Sequence, residues 1–151
     1  MAIYRPRRKR WPIAAAVGLI TLAVGFGLGW GLKGTEPPDP LDALASLRAT
    51  LAAAAGTLEV VDIEYRESVQ DGAVVSQPEY EGARDALTRS RQRYAEARPA
   101  LRELDPNLVT DADALYQDIE RLIDQRAPEE EVTEATARLA DLLRGAFSGA
   151  P

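Results

Sequence analysis

A chain of 151 residues with no cysteine, no histidine and a formal net charge of −6 has a narrow chemical repertoire. Without Cys there are no disulfides, iron–sulfur clusters, thiolate zinc sites or c-type haem attachment; without His, the commonest general base and copper or zinc ligand is missing too. Oxygen donors remain, which suit hard cations such as iron, Mn²⁺ or Ca²⁺, and for want of a nucleophile or cofactor motif the chain does not read as an enzyme.

The charge is unevenly placed. Arg5, Arg7, Arg8, Lys9, Arg10 and Lys33 precede Thr35 and every acidic residue follows it, so the remainder carries 12 basic against 24 acidic residues, a net of −12. Between the basic cluster and Lys33 lie 22 uncharged residues, Trp11 to Leu32. As a helix rising about 1.5 Å per residue they match the hydrocarbon thickness of a bilayer. Trp11 and Trp30 sit near the two ends, where indole rings favour the interface. The basic flank places residues 1–10 in the cytoplasm and sends everything after Lys33 across the cytoplasmic membrane. A cleaved signal peptide is the rival reading, but it predicts a shorter apolar core and a small-x-small exit, and Gly31-Leu32-Lys33-Gly34-Thr35 offers no such site. We expect a single-pass signal-anchor helix over 11–32.

Within that helix Ala14, Gly18, Thr21, Gly25 and Gly29 fall on one face at small-xxx-small spacing, which permits close helix association. A homodimer through this face, or docking onto another membrane protein, is what such a stripe serves; frequent glycine in membrane helices is the plainer explanation. Residues 33–40 form a proline-rich linker, because Pro37, Pro38 and Pro40 fix φ and withhold amide donors.

Residues 41–148 have helical periodicity throughout, and the fold class expected is all-α: the membrane helix followed by an antiparallel four-helix bundle. The first stripe is Leu44, Leu47, Leu51, Ala54, Leu58, Val61 and Tyr65, with Gly56 as a weak point. Glu67 to Gln77 reads as a loop pinned on the bundle, with Asp71-Gly72 as its turn; a short hairpin about that dipeptide is the alternative. Ser76-Gln77-Pro78-Glu79 is a capping box opening the second helix, whose stripe is Tyr80, Ala83, Leu87, Tyr94, Ala97, Leu101 and Leu104. Pro99 should kink or break it, and Arg84, Arg89, Arg91 and Arg93 read as its solvated face.

Asp105-Pro106 starts the third helix, acid at N-cap and proline at N1, with Leu108, Ala112, Leu115, Ile119 and Leu122 facing inward. Pro128 should be N1 of the fourth, followed by Glu129, Glu130 and Glu131 where the helix dipole favours negative charge. Val132, Ala135, Leu139, Leu142, Leu143 and Ala146 form its apolar face and Gly149 its end. Ala and Leu dominate, so the bundle should be slim and enclose no cavity.

Asp62, Glu64, Glu67 and Asp71, with Glu79 at the start of the next helix, gather carboxylates toward one end of the bundle, a candidate site for a hard cation. Solvated acids at helix ends are the plain alternative, and the order is not that of an EF-hand. Tyr65 and Tyr80 bracket the loop in phase with the core, rings inside and hydroxyls available to loop backbone. The net acidity of this domain repels nucleic acid and the anionic membrane surface, so neither is the expected ligand.

Glu64-Tyr65, Ser68-Val69, Asp71-Gly72, Val74 and Glu79-Tyr80, set between two amphipathic helices, resemble the extracytoplasmic helical domain associated with bacterial oxidase-coupled high-affinity iron permeases. The similarity spans about Leu41 to Phe147. This chain carries no multi-helix permease, no Cys-x-x-Cys-His and no Arg-Glu-x-x-Glu, so the resemblance implies an accessory domain and not iron translocation. The function expected is a membrane-anchored extracytoplasmic binding or accessory subunit in iron uptake, with a membrane-protein partner. A structural subunit docking through its membrane helix onto a larger complex is the alternative.

Overall fold

The computed structural model describes residues 39–147. The basic segment, the expected membrane helix with Ala14, Gly18, Thr21, Gly25 and Gly29, the linker up to residue 38, and Gly149 lie outside the described residues.

Helix α1 spans Pro40–Ser68 and is capped by Asp39, whose carboxylate accepts the Leu41 amide at 2.9 Å. Val60-Val61-Asp62-Ile63, β-branched though it is, stays helical because the inward stripe runs in phase from Leu51 through Leu58 and Val61 to Tyr65, all buried. Among the described residues α1 is the one helix long and apolar enough, by length and composition, to cross a membrane. Its apolar face nevertheless forms part of the bundle core, since Ala54, Ala55 and Val61 are fully enclosed.

The segment expected as a loop departs from expectation. Helix α1 continues through Glu67 to Ser68, and a two-stranded hairpin follows, β1 (Val69–Gln70) antiparallel to β2 (Ala73–Val74), with Val69 opposite Val74. Asp71 (φ 50°) and Gly72 (φ 74°) occupy the two left-handed positions of a two-residue turn that suits Asp-Gly. So short a hairpin persists because it is tied to the bundle. Val69 is buried, and the Ser68 carbonyl accepts the amides of both Val75 and Ser76.

That second bond also prevents the expected capping box. The Ser76 amide, which Glu79 should reach back to, is already paired with Ser68, and the Ser76 side chain makes no capping bond. Helix α2 runs Gln77–Leu104 without a break at Pro99. Ala95 and Pro99 are both exposed, so water can serve the carbonyl that the proline leaves without a donor.

Asp105 caps α3 (Pro106–Asp124) as expected, its Oδ1 accepting the amides of Asn107 and Leu108, each at 3.0 Å. The inward face of α3 is Leu108, Val109, Ala112, Tyr116, Ile119, Leu122 and Ile123; Leu115 is only half-buried. Helix α4 spans Glu129–Gly145, with Pro128 as N-cap rather than first helical residue.

Each helix packs on its sequence neighbours, and α4 closes the ring onto α1. The short connections make neighbours antiparallel. Arg48 of α1 donates to the Phe147 carbonyl at one end, and Tyr65 meets Ala127 at the other, which fixes the two ends of the bundle. Ala54, Ala83, Ala86, Ala112 and Ala135 are fully buried, so the helices approach closely around a narrow core.

Candidate functional site

The five carboxylates singled out from the sequence do not converge. Among the described residues no three acidic groups lie where they could jointly hold a metal ion. The reason lies first in helix geometry: at about 100° per residue, Asp62 leaves α1 on the side away from Glu64 and Glu67.

Asp62 is already occupied. Its Oδ2 pairs with Arg66 Nη2 at 2.7 Å and its Oδ1 accepts the Thr133 hydroxyl, while Arg66 Nε reaches Glu129 at 2.7 Å. These bonds tie α1 to the first turns of α4. Glu64 lies over α2, where a β-carbon at Gly82 would come within 2.9 Å of its carboxylate, so glycine makes room for it. Glu67 is exposed on α1 and Asp71 is exposed in the hairpin turn. Glu79 is half-buried, and its Oε2 is shielded from solvent without a hydrogen-bond partner among the described residues.

The two tyrosines bracketing this end act as clamps. Tyr65 donates to the Ala127 carbonyl at 2.6 Å, holding the α3–α4 connection, and Tyr80 donates to the Ile123 carbonyl at 2.9 Å in the last turn of α3. Burial pushes the Tyr65 phenol up to about 12, with Tyr80 and Glu131 adding to the shift.

A second polar system crosses the middle of the bundle. Tyr116 of α3 lies 2.8 Å from the fully buried Ser90 of α2, and Ser90 donates to the Ala54 carbonyl of α1 at 2.8 Å. With the serine proton directed to that carbonyl, the tyrosine is the donor of the pair, and three helices are threaded by one chain of hydrogen bonds. The Tyr94 and Tyr116 rings pack at 5.3 Å between centroids, and burial pushes both phenols up to about 12.

Toward the opposite end, Tyr94 donates to Asp113 Oδ1 at 3.1 Å, and Arg98 grips the same carboxylate through Nε and Nη2, the shortest bond being 2.6 Å. Hydrogen bonding from Arg98 holds the Asp113 carboxyl below its usual range, with Tyr94 acting in the same direction. Arg98 is one member of a series. Arg84 pairs with Asp124 and Arg91 with Glu120, both at 3.0 Å, so arginines seven residues apart on α2 meet acids of the antiparallel α3. Arg84 and Arg91, read from the sequence as a solvated face, therefore bridge two helices while remaining half-exposed. The Ser90–Tyr116 pair and this ladder went unseen in the sequence. The seven-residue spacing of Arg84, Arg91 and Arg98 was the available signal for the ladder.

The arrangement consists of hydrogen-bonded clamps that tie the four helices to one another. The profile of the iron permease-associated 4-helix bundle domain matches residues 40–150. No curated protein and no solved structure matches the chain.

Proposed function

Because the chain belongs to the iron permease-associated 4-helix bundle family, and so is linked to iron uptake, we propose that it is a membrane-anchored accessory subunit whose bundle stands outside the cytoplasm beside an iron permease. The observation that carries this reading is the junction near residue 40. The family domain begins there, seven residues after an uncharged segment of bilayer length with five basic residues before it.

In this reading the permease carries the iron and the bundle acts as a protein-binding body. Two of its carboxylates already serve partners within the bundle: Asp62 serves Arg66 and Thr133, and Asp113 serves Arg98 and Tyr94. The short linker keeps the domain close to the bilayer, since seven residues span at most about 25 Å.

Topology gives the test. In spheroplasts carrying the full chain, protease added outside is expected to digest the domain after Lys33 and leave a membrane-protected N-terminal fragment. Full protection of the domain until the membrane is permeabilised would overturn the orientation.

A further inference from the structure

At the end of the bundle where α1 begins, a groove of about 470 Å³ opens along the α2–α3 seam between Arg98, Arg102, Thr110, Asp113 and Gln117, with Val109 beneath. Arg98 commits Nε and Nη2 to Asp113, which is itself held by Tyr94. The guanidinium plane is thereby fixed, and its Nη1 protons remain uncommitted to Asp113. Arg102 follows one helical turn later on the same side of α2. It makes no ion pair or hydrogen bond among the described residues, though its charge is felt at Asp113.

Two guanidiniums against one carboxylate give the lining of the groove an excess of positive charge, on a chain whose net charge after Thr35 is −12. A preoriented arginine loses little entropy on taking a further oxyanion, and paired guanidiniums match the oxygen geometry of phosphate. Asp113 therefore serves as the brace that aims Arg98, and Arg102 supplies the second arm.

We propose that the Arg98–Arg102 groove is a phosphate-binding site, filled by the phosphate of an anionic lipid headgroup or by free phosphate. The headgroup source rests on the anchored orientation argued above, in which this end of the bundle faces the outer headgroups of the bilayer. The phosphate chemistry itself does not depend on that orientation.

The test uses the full chain in neutral detergent micelles, with the arginine Nε–H resonances followed by NMR. Inorganic phosphate is titrated in one arm and short-chain phosphatidylglycerol in the other. Saturable shifts at Arg98 and Arg102 are expected in both arms, with phosphate competing against the lipid. Arg102→Gln should weaken binding about tenfold or more, the loss of a charged hydrogen-bond donor. Arg84→Gln, at the far end of the ladder, should leave it unchanged. Shifts with phosphate alone would overturn the lipid source while upholding the oxyanion site, whatever the topology proves to be. Shifts at Arg102 no larger than those at the exposed Arg89 and Arg93, or insensitive to Arg102→Gln, would overturn the site.

Discussion

Tyr116→Ala is expected to destabilise the bundle by about 3–5 kcal/mol, the usual result of emptying a buried aromatic position. Tyr116 is 1 % exposed, its ring packs on Tyr94, and its hydroxyl ends the chain through Ser90 to Ala54. The substitution opens a cavity against Tyr94 and leaves Ser90 without its tyrosine partner. In a domain of this size the change lowers Tm by roughly 10–20 °C. Tyr116→Phe keeps the ring and leaves Ser90 bonded to Ala54, so it should cost only about 1 kcal/mol. Denaturant unfolding of the full chain in micelles, followed by helical circular dichroism, measures both. Equal and mild effects of the two variants would mean that the ring does not anchor the core.

Alkaline pH should unfold the same bundle cooperatively. Tyr65, Tyr94 and Tyr116 are each pushed from about 10 up to about 12, burial being the largest cause in every case. Their protonated forms are favoured in the fold, so the stability they contribute is complete below pH 10 and is lost as pH rises through 12. A two-unit shift is worth up to about 3 kcal/mol per phenol, and three together rival the whole stability of a small domain. Helical signal is expected to hold from neutral pH to near 10, then fall together with the appearance of tyrosinate absorbance from these residues. Replacing Tyr94 and Tyr116 by Phe should move the loss of helix to higher pH. Complete ionisation near pH 10 with the helices intact would contradict the clamp assignments.

The helices were legible chiefly from their apolar stripes, and in part from their punctuation. Asp105-Pro106 announces a start, and the stripe from Leu51 to Tyr65 outweighs the β-branched Val60-Val61 within it, whereas Asp39-Pro40, read as the end of the linker, caps and opens α1. What sequence periodicity could not decide was competition for the same atom. The Ser76 amide had two suitors, the Glu79 carboxylate and the Ser68 carbonyl, and the hairpin that delivers Ser68 settled the contest. Leu115 and Tyr116 are adjacent on α3; the phase of Val109, Ala112, Ile119 and Ile123 carries the tyrosine inward, where Ser90 meets its hydroxyl.

The carboxylate cluster was over-read for a related reason. Nearness in sequence placed Asp62, Glu64 and Glu67 in one group, but the helix turns Asp62 away from the other two, and it is drawn to α4 by Thr133 while Arg66 bridges it to Glu129. The ladder of Arg84, Arg91 and Arg98 was under-read because its partners lie on α3, in the reverse order that only an antiparallel neighbour supplies.

The central claim is that this chain serves iron uptake from the membrane, and uptake of radiolabelled iron by iron-limited cells tests it most directly. Cells lacking the chain should accumulate iron more slowly than the parent. The full chain should restore the rate, and a chain whose residues 11–32 are replaced by a cleaved secretion signal should not. Uptake that is unchanged by removal of the chain would contradict the account.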